Sequence, residues 1–171
     1  ARYSYSNTGY LLLGAIAERA GREPFATQLE RRLFTPLGLA HTRYEPARGG
    51  AGMAEGYTPL GLGDVEPAVP EGTGWIGAAG GIWSTPGDLL TWDLALMDGK
   101  VLSPESWAVM TTPRRLTDGR TSGYGCGQSI RDRGPALVLQ HGGAVSGFGA
   151  RSAMVPSSRS AVVVMANADW A

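Results

Sequence analysis

Apolar positions first fall into a helical rhythm at Leu12, Ala15 and Ile16, with Arg19 completing the stripe. Asn7 or Thr8 can cap this first helix, and Gly21 is expected just past its end, in the left-handed stop position. A second helix is expected to open at Pro24, with Phe25, Leu29 and Leu33 on one face, and to close at Pro36. From Thr42 to Gly74 the rhythm is lost among glycines and prolines, which predicts a long irregular excursion with short strands. Thr85-Pro86-Gly87-Asp88 then reads as a helix start. Thr85 is the cap, Pro86 the first helical residue, and Asp88 is placed to return a bond to the cap. Leu89, Leu90, Trp92, Leu94, Leu96 and Met97 fill this helix up to Gly99, and Ser103-Pro104 opens a shorter one to about Met110.

The pattern then changes period. Strands are expected at about Tyr124–Ile130, Ala136–His141, Phe148–Val155 and Ala161–Ala166. Their short connections, including a turn at 156–159, predict an antiparallel meander. Val162 to Met165 is apolar at consecutive positions, so both faces of that strand are expected to be buried. The expected class is therefore α+β, an antiparallel sheet flanked by helices. The chain reads as one incomplete domain: residues 1–41 helical, 42–74 irregular, 75–112 helical and 123–167 sheet.

Composition narrows the possible partners. The 171 residues carry fifteen basic and fifteen acidic side chains, so there is no basic surplus for nucleic acid. Lys100 is the only lysine. Cys126 is the only cysteine, which excludes an internal disulfide and suggests a buried small apolar residue. No apolar run approaches the ~18 residues of a membrane span. Ala1 follows no leader-like segment and looks like a cut into a longer polypeptide.

Several chemistries lack their residues. His41 and His141 are too far apart in sequence to form an HExxH zinc motif, and no metal or cofactor is expected. Gly123-Tyr124-Gly125-Cys126-Gly127 lacks dinucleotide-binding spacing. Ser146 misses a GxSxG elbow because Ala144 stands in the first glycine's place. Of the other candidates, His41 reads as a surface or capping residue and Arg114-Arg115 as a solvated pair. Trp83 reads as core, whereas Trp75 is equally compatible with core or cleft. Tyr57 lies in the excursion.

Two stretches keep chemical interest. Tyr5-Ser6-Asn7 sets a phenol and an amide ahead of the first helix; it can serve as a proton relay with a carbonyl ligand, or simply as a cap with an aromatic staple. His141-Gly142-Gly143-Ala144 ends a strand in an imidazole followed by glycines that admit a ligand to the backbone, or it is a plain hairpin turn.

Together with LGL, AAGGIWSTPGDLLTW, YGCGQSI and HGGAVSGFGARSAMVP, these stretches resemble the serine β-lactamase-related family. That family includes class C β-lactamases, D-alanyl-D-alanine carboxypeptidases, D-aminopeptidases and esterases. The resemblance implies part of a β-lactamase/DD-peptidase-like fold with part of its helical subdomain. It implies Tyr5 as general base, and Asn7 as the ligand of the substrate amide. His141, Gly142 and Gly143 would stand in the place of the Lys-Thr-Gly motif, with the Ala144 backbone N–H as an oxyanion donor.

Two departures qualify the match. Ser-x-x-Lys is absent, since the residue three before Lys100 is Met97, so the nucleophile is expected in polypeptide upstream of Ala1. His141 replaces a lysine, which weakens attraction for a β-lactam carboxylate and favours esterase, amidase or peptidase chemistry. The expected partners are a small-molecule or peptide substrate and that upstream segment. The resemblance suggests a periplasmic or secreted protein, and the address signal is not on this chain. The alternative reading is a non-catalytic scaffold of the same fold that binds a peptide or assembles with a partner.

Overall fold

A computed structural model describes residues 2–47, 49–59, 63–134 and 136–169. Helix α1 spans Asn7–Gly21, but its cap is neither Asn7 nor Thr8. Ser6 takes that place, its hydroxyl accepting the Gly9 N–H at 3.1 Å. At the other end the left-handed residue is Arg22, and Gly21 is still helical. Gly21 is needed for space: a Cβ there would lie 2.5 Å from the Gln28 side chain. The buried Gln28 amide donates to the Ala17 and Glu23 carbonyls and locks the interhelical turn.

Helix α2 (Phe25–Leu29) widens into a π turn at Glu30–Phe34 and runs on as α3 (Thr35–Leu37). Pro36 therefore does not close the segment. It lies within the helical run directly after the wider π turn, and Gly38 at φ 68° makes the stop. Leu29, Phe34 and Leu39 bury together under Phe25 and Tyr44.

The excursion holds β1 (Arg43–Tyr44), β2 (Tyr57–Pro59) and β3 (Val65–Pro67), and β2 pairs with β3. Residues 48 and 60–62 of the excursion lie outside the described set. Strand β4 (Ile82–Trp83) pairs antiparallel with β1. It leads into α4 (Pro86–Met97), which is capped by Thr85 as expected. The Asp88 carboxylate does not return to the cap. It accepts the His41 N–H at 2.8 Å and the Thr42 hydroxyl at 2.9 Å, joining the start of the excursion to α4. Helix α5 (Pro104–Thr111) follows, capped by Ser103.

The sheet is a four-stranded meander, β5 (Ser129–Asp132), β6 (Leu137–Val145), β7 (Phe148–Val155) and β8 (Ser160–Ala166), in that spatial order. Two boundaries differ from expectation. Residues 124–128 are turns rather than strand, because Gly123 and Gly127 adopt positive φ values of 65° and 76°. Strand β6 continues four residues past His141, so Gly142, Gly143 and Ala144 are strand residues paired with β7.

One face of the sheet packs on the helices. Leu139 and Met154 are fully buried there, with Ile130 and Leu96, under Trp92, Met97, Trp107 and Met110. On the other face Val162 is 64% and Val164 60% exposed, so the cover expected for both faces does not come from the described residues of this chain. The described residues supply helices to one side only. Cys126 is exposed rather than buried, and Lys100 pairs with Asp98 at the far end of α4.

Candidate active site

Register fixes where His141 points. Its strand partner on β7 is Ser152, and Leu139, two residues earlier, lies in the helix-packed core. Side chains alternate along a strand, so His141 and Gly143 share the helix-side face. A Cβ at Gly143 would meet nothing within 4 Å, so that face is open space just beyond the imidazole. Burial holds the His141 pKa below its ordinary value, which favours the neutral ring.

The backbone beyond His141 forms a free edge. The Arg133 N–H donates to the Ala136 carbonyl, so Ala136 and every second residue after it on β6 turn their peptide groups toward β5. Strand β5 ends at Ser129, which is opposite Gln140. Gly142 and Ala144 therefore direct their N–H groups at an edge with no strand partner. Among the described residues nothing else bonds them.

Tyr5 comes to this edge from the segment before α1. Its ring centroid lies 6.1 Å from that of His141, and the phenol side chain is half exposed. Asn7 sits in the first turn of α1 and is exposed. Tyr5 and His141 are thus brought together where the unpaired edge of β6 begins, whereas no hydrogen bond joins Asn7 to either.

Other residues at the site had no role in the sequence reading. Tyr124 touches Tyr3, Tyr5 and His141, with ring centroids 5.5, 6.2 and 6.1 Å away. The only signal for it was the glycine run around it. Under His141, the Ser152 hydroxyl donates to the Asp93 carboxylate at 2.5 Å. Asp93 is 2% exposed, and burial pushes its carboxyl up, with the Ser152 bond offsetting part of that. Neither residue carries a motif, so only their juxtaposition reveals the pair.

The remaining candidates lie apart. Trp75 is 76% exposed, while Trp83 meets Phe148 edge-on at 5.1 Å. The Tyr57 hydroxyl donates to Glu55, and the His41 side chain is exposed. Arg114 and Arg115 are exposed, the former 4.0 Å from Cys126. The described residues contain no cluster of metal-ligating side chains and no helix long and apolar enough to cross a membrane.

The fold is a mixed one of helices and an antiparallel sheet, with a phenol and an imidazole meeting at one end of strand β6. The chain belongs to the Beta-lactamase family, whose model it matches over residues 1–169. It is 30% identical over 172 residues to the D-aminopeptidase of Gluconobacter oxydans, covering 96% of this chain and 31% of that protein. Among solved structures it is similar to the D-stereospecific amidohydrolase from Streptomyces sp., with a TM-score of 0.85 and 27% identity. That match covers 99% of this chain and 52% of the amidohydrolase. The penicillin binding protein from Bacillus halodurans gives a TM-score of 0.83 at 28% identity, over 98% of this chain and 52% of that one. The chain spans about a third to a half of the length of these relatives.

Proposed function

We propose that this chain is the general-base and oxyanion portion of a serine hydrolase that cleaves an amide, ester or β-lactam through an acyl-enzyme. It would form one incomplete domain of that enzyme. The observation that carries the reading is the Tyr5 ring 6.1 Å from His141, on the strand whose N–H groups at Gly142 and Ala144 have no partner on β5. Relatives named as a D-aminopeptidase and a D-stereospecific amidohydrolase support amide substrates with a D-configured residue.

In this mechanism a serine and lysine from an upstream Ser-x-x-Lys segment complete the site. Tyr5, working with that lysine, takes the serine proton as the hydroxyl attacks the carbonyl, and then delivers it to the departing amine or alcohol. The negative oxygen of the tetrahedral intermediate is held by the Ala144 N–H and the serine's own N–H. Water then attacks the acyl carbonyl, giving its proton to Tyr5, which passes it to the serine oxygen as the acyl–serine bond breaks and the acid leaves. Asn7 donates to the substrate amide carbonyl, and Gly142 and Gly143 let the substrate lie close along β6. His141, held neutral by burial, lines the cleft without the charge an ammonium would bring.

The test is covalent labelling of the full-length protein by a fluorophosphonate ester and by a fluorescent penicillin. Labelling of one upstream serine by either probe is the expected result. No labelling, together with no Ser-x-x-Lys in the full-length sequence, overturns the enzyme reading. The alternative, a non-catalytic scaffold of this fold, rests on the sole lysine, Lys100, being paired with Asp98 away from Tyr5. In that case a peptide would bind without turnover.

A further inference from the structure

The glycine-rich run at 123–127 matches no cofactor motif and has no part in the mechanism above, yet its backbone is tightly constrained. Gly123 and Gly127 have positive φ values of 65° and 76°. A Cβ on Gly125 would stand 1.9 Å from the Met110 carbonyl oxygen, a position no side chain can share. A Cβ on Gly127 would approach the Tyr10 hydroxyl at 3.5 Å. The segment is also pinned on both sides. The Gly125 N–H donates to the Gln128 carbonyl, the Cys126 N–H to the Met110 carbonyl, and the Arg114 N–H to the Tyr124 carbonyl. The Tyr124 N–H bonds the Ser122 hydroxyl at 3.1 Å.

All of this fixes one side chain. The Tyr124 ring meets Tyr5 edge-on at an interplanar angle of 84° and His141 at 73°, so one ring forms a wall shared by both. Tyr3 stacks at a tilt on its outer side. Its hydroxyl is buried without a normally formed hydrogen bond, and the Tyr10 phenol is its polar neighbour. Burial raises the pKa of both phenols, so Tyr124 stays neutral and presents only a ring to the site.

We propose that Tyr124 is the positioning residue of this site: held by its glycine collar, its ring sets the spacing of Tyr5 and His141 and shields the imidazole from water. The inference rests on the reading of Tyr5 and His141 as site residues. Tyr5 and Tyr124 offer neutral phenols, β7 offers the Ser152 hydroxyl, and α4 offers the Asp93 carboxyl, which reaches the imidazole's surroundings only through Ser152. Shielding by a ring is therefore the local influence that the loop after α5 supplies.

The experiment uses the full-length protein and two readouts. One is the NMR titration of the His141 ring proton, identified by its absence in His141→Gln. The other is the pH dependence of fluorophosphonate labelling. Tyr124→Phe keeps the ring and is expected to leave both unchanged. Tyr124→Leu removes it. The His141 midpoint should then rise toward the ordinary ~6.5, and the maximal labelling rate should fall about 10- to 100-fold, with little change in the half-saturating probe concentration. A Tyr124→Leu protein that melts cooperatively but keeps the wild-type midpoint and rate overturns the proposal. So does a Tyr124→Phe protein as impaired as Tyr124→Leu, because the hydroxyl would then be the active part. If Tyr124→Leu does not fold, Tyr3→Leu decides: a smaller rise in the same midpoint supports the proposal, and no rise overturns it. If wild-type labels with neither probe, the hydrolase reading fails, while the titration still tests the wall.

Discussion

The α4–sheet interface and the α1 edge of the molecule both carry large apolar side chains, but among the described residues only the first is closed. Leu96, Leu139 and Met154 bury one another completely where α4 lies on the sheet. Along α1, Leu12, Leu13 and Ile16 are each more than half exposed, and so is Tyr5 ahead of the helix. The exposed face of β8 repeats the pattern at Val162 and Val164. His141 stands on the strand that carries the core residue Leu139, whereas Tyr5 meets it from the exposed side, and on the reading proposed above the chemistry would fall where the two regions join.

This contrast can be broken by experiment. The largest expected effect lies at the open edge. Tyr5→Phe in the full-length protein should slow acylation about 10²- to 10⁴-fold, the usual range for losing a general base, with little change in melting temperature. A rate within a few-fold of wild type would remove Tyr5 from the mechanism. In the closed region the consequence is stability instead. Leu139→Ala should cost about 2–5 kcal/mol in denaturant unfolding, whereas Leu12→Ala should cost well under that. Equal losses at the two positions would show that the edge is as closed as the core.

A subtler effect is expected at Asp93. A buried acid whose pKa is raised above its unfolded value weakens the fold once pH exceeds about 4 and the unfolded chain ionises. Asp93→Asn keeps an acceptor for Ser152 without the charge, so it should stabilise the protein at neutral pH by about 1 kcal/mol. The gain should fade as pH falls below about 4, and a melting series across pH checks both parts. The smallest effect concerns His141. Its pKa is lowered in the fold, so the unfolded state binds more protons just below about pH 6.5 and stability declines as pH drops through that point. His141→Gln should flatten that slope, and an unchanged slope would show that His141 is not shielded.

Much of the architecture was legible in the residues. The Thr85 and Ser103 caps, the four-stranded meander and the Arg159 turn follow from local chemistry, and the structure has them near the expected positions. The misses have local causes too. Gly21 read as a stop because glycine usually relieves a left-handed residue, whereas here it makes room for Gln28. Pro36 read as a breaker, although the helical run continues through it directly after the wider π turn. The run 124–128 read as strand because alternation outweighed its glycines. At the site, Tyr5, Asn7 and the His141 segment could be named because they form short contiguous motifs. Tyr124, Ser152 and Asp93 could not, since their roles come from neighbours far away along the chain.

By itself the sequence determined the Thr85 and Ser103 caps, the switch from helical to alternating periodicity, and the two motifs whose order matches the family. Each of these depends on interactions within a few residues. Only the tertiary structure decided that Ala144 faces an unpaired edge, that Tyr124 packs against both Tyr5 and His141, and that Asp93 is buried against Ser152. Those facts depend on where β5 ends against β6 and on which rings meet across more than a hundred residues, contacts that no local pattern encodes.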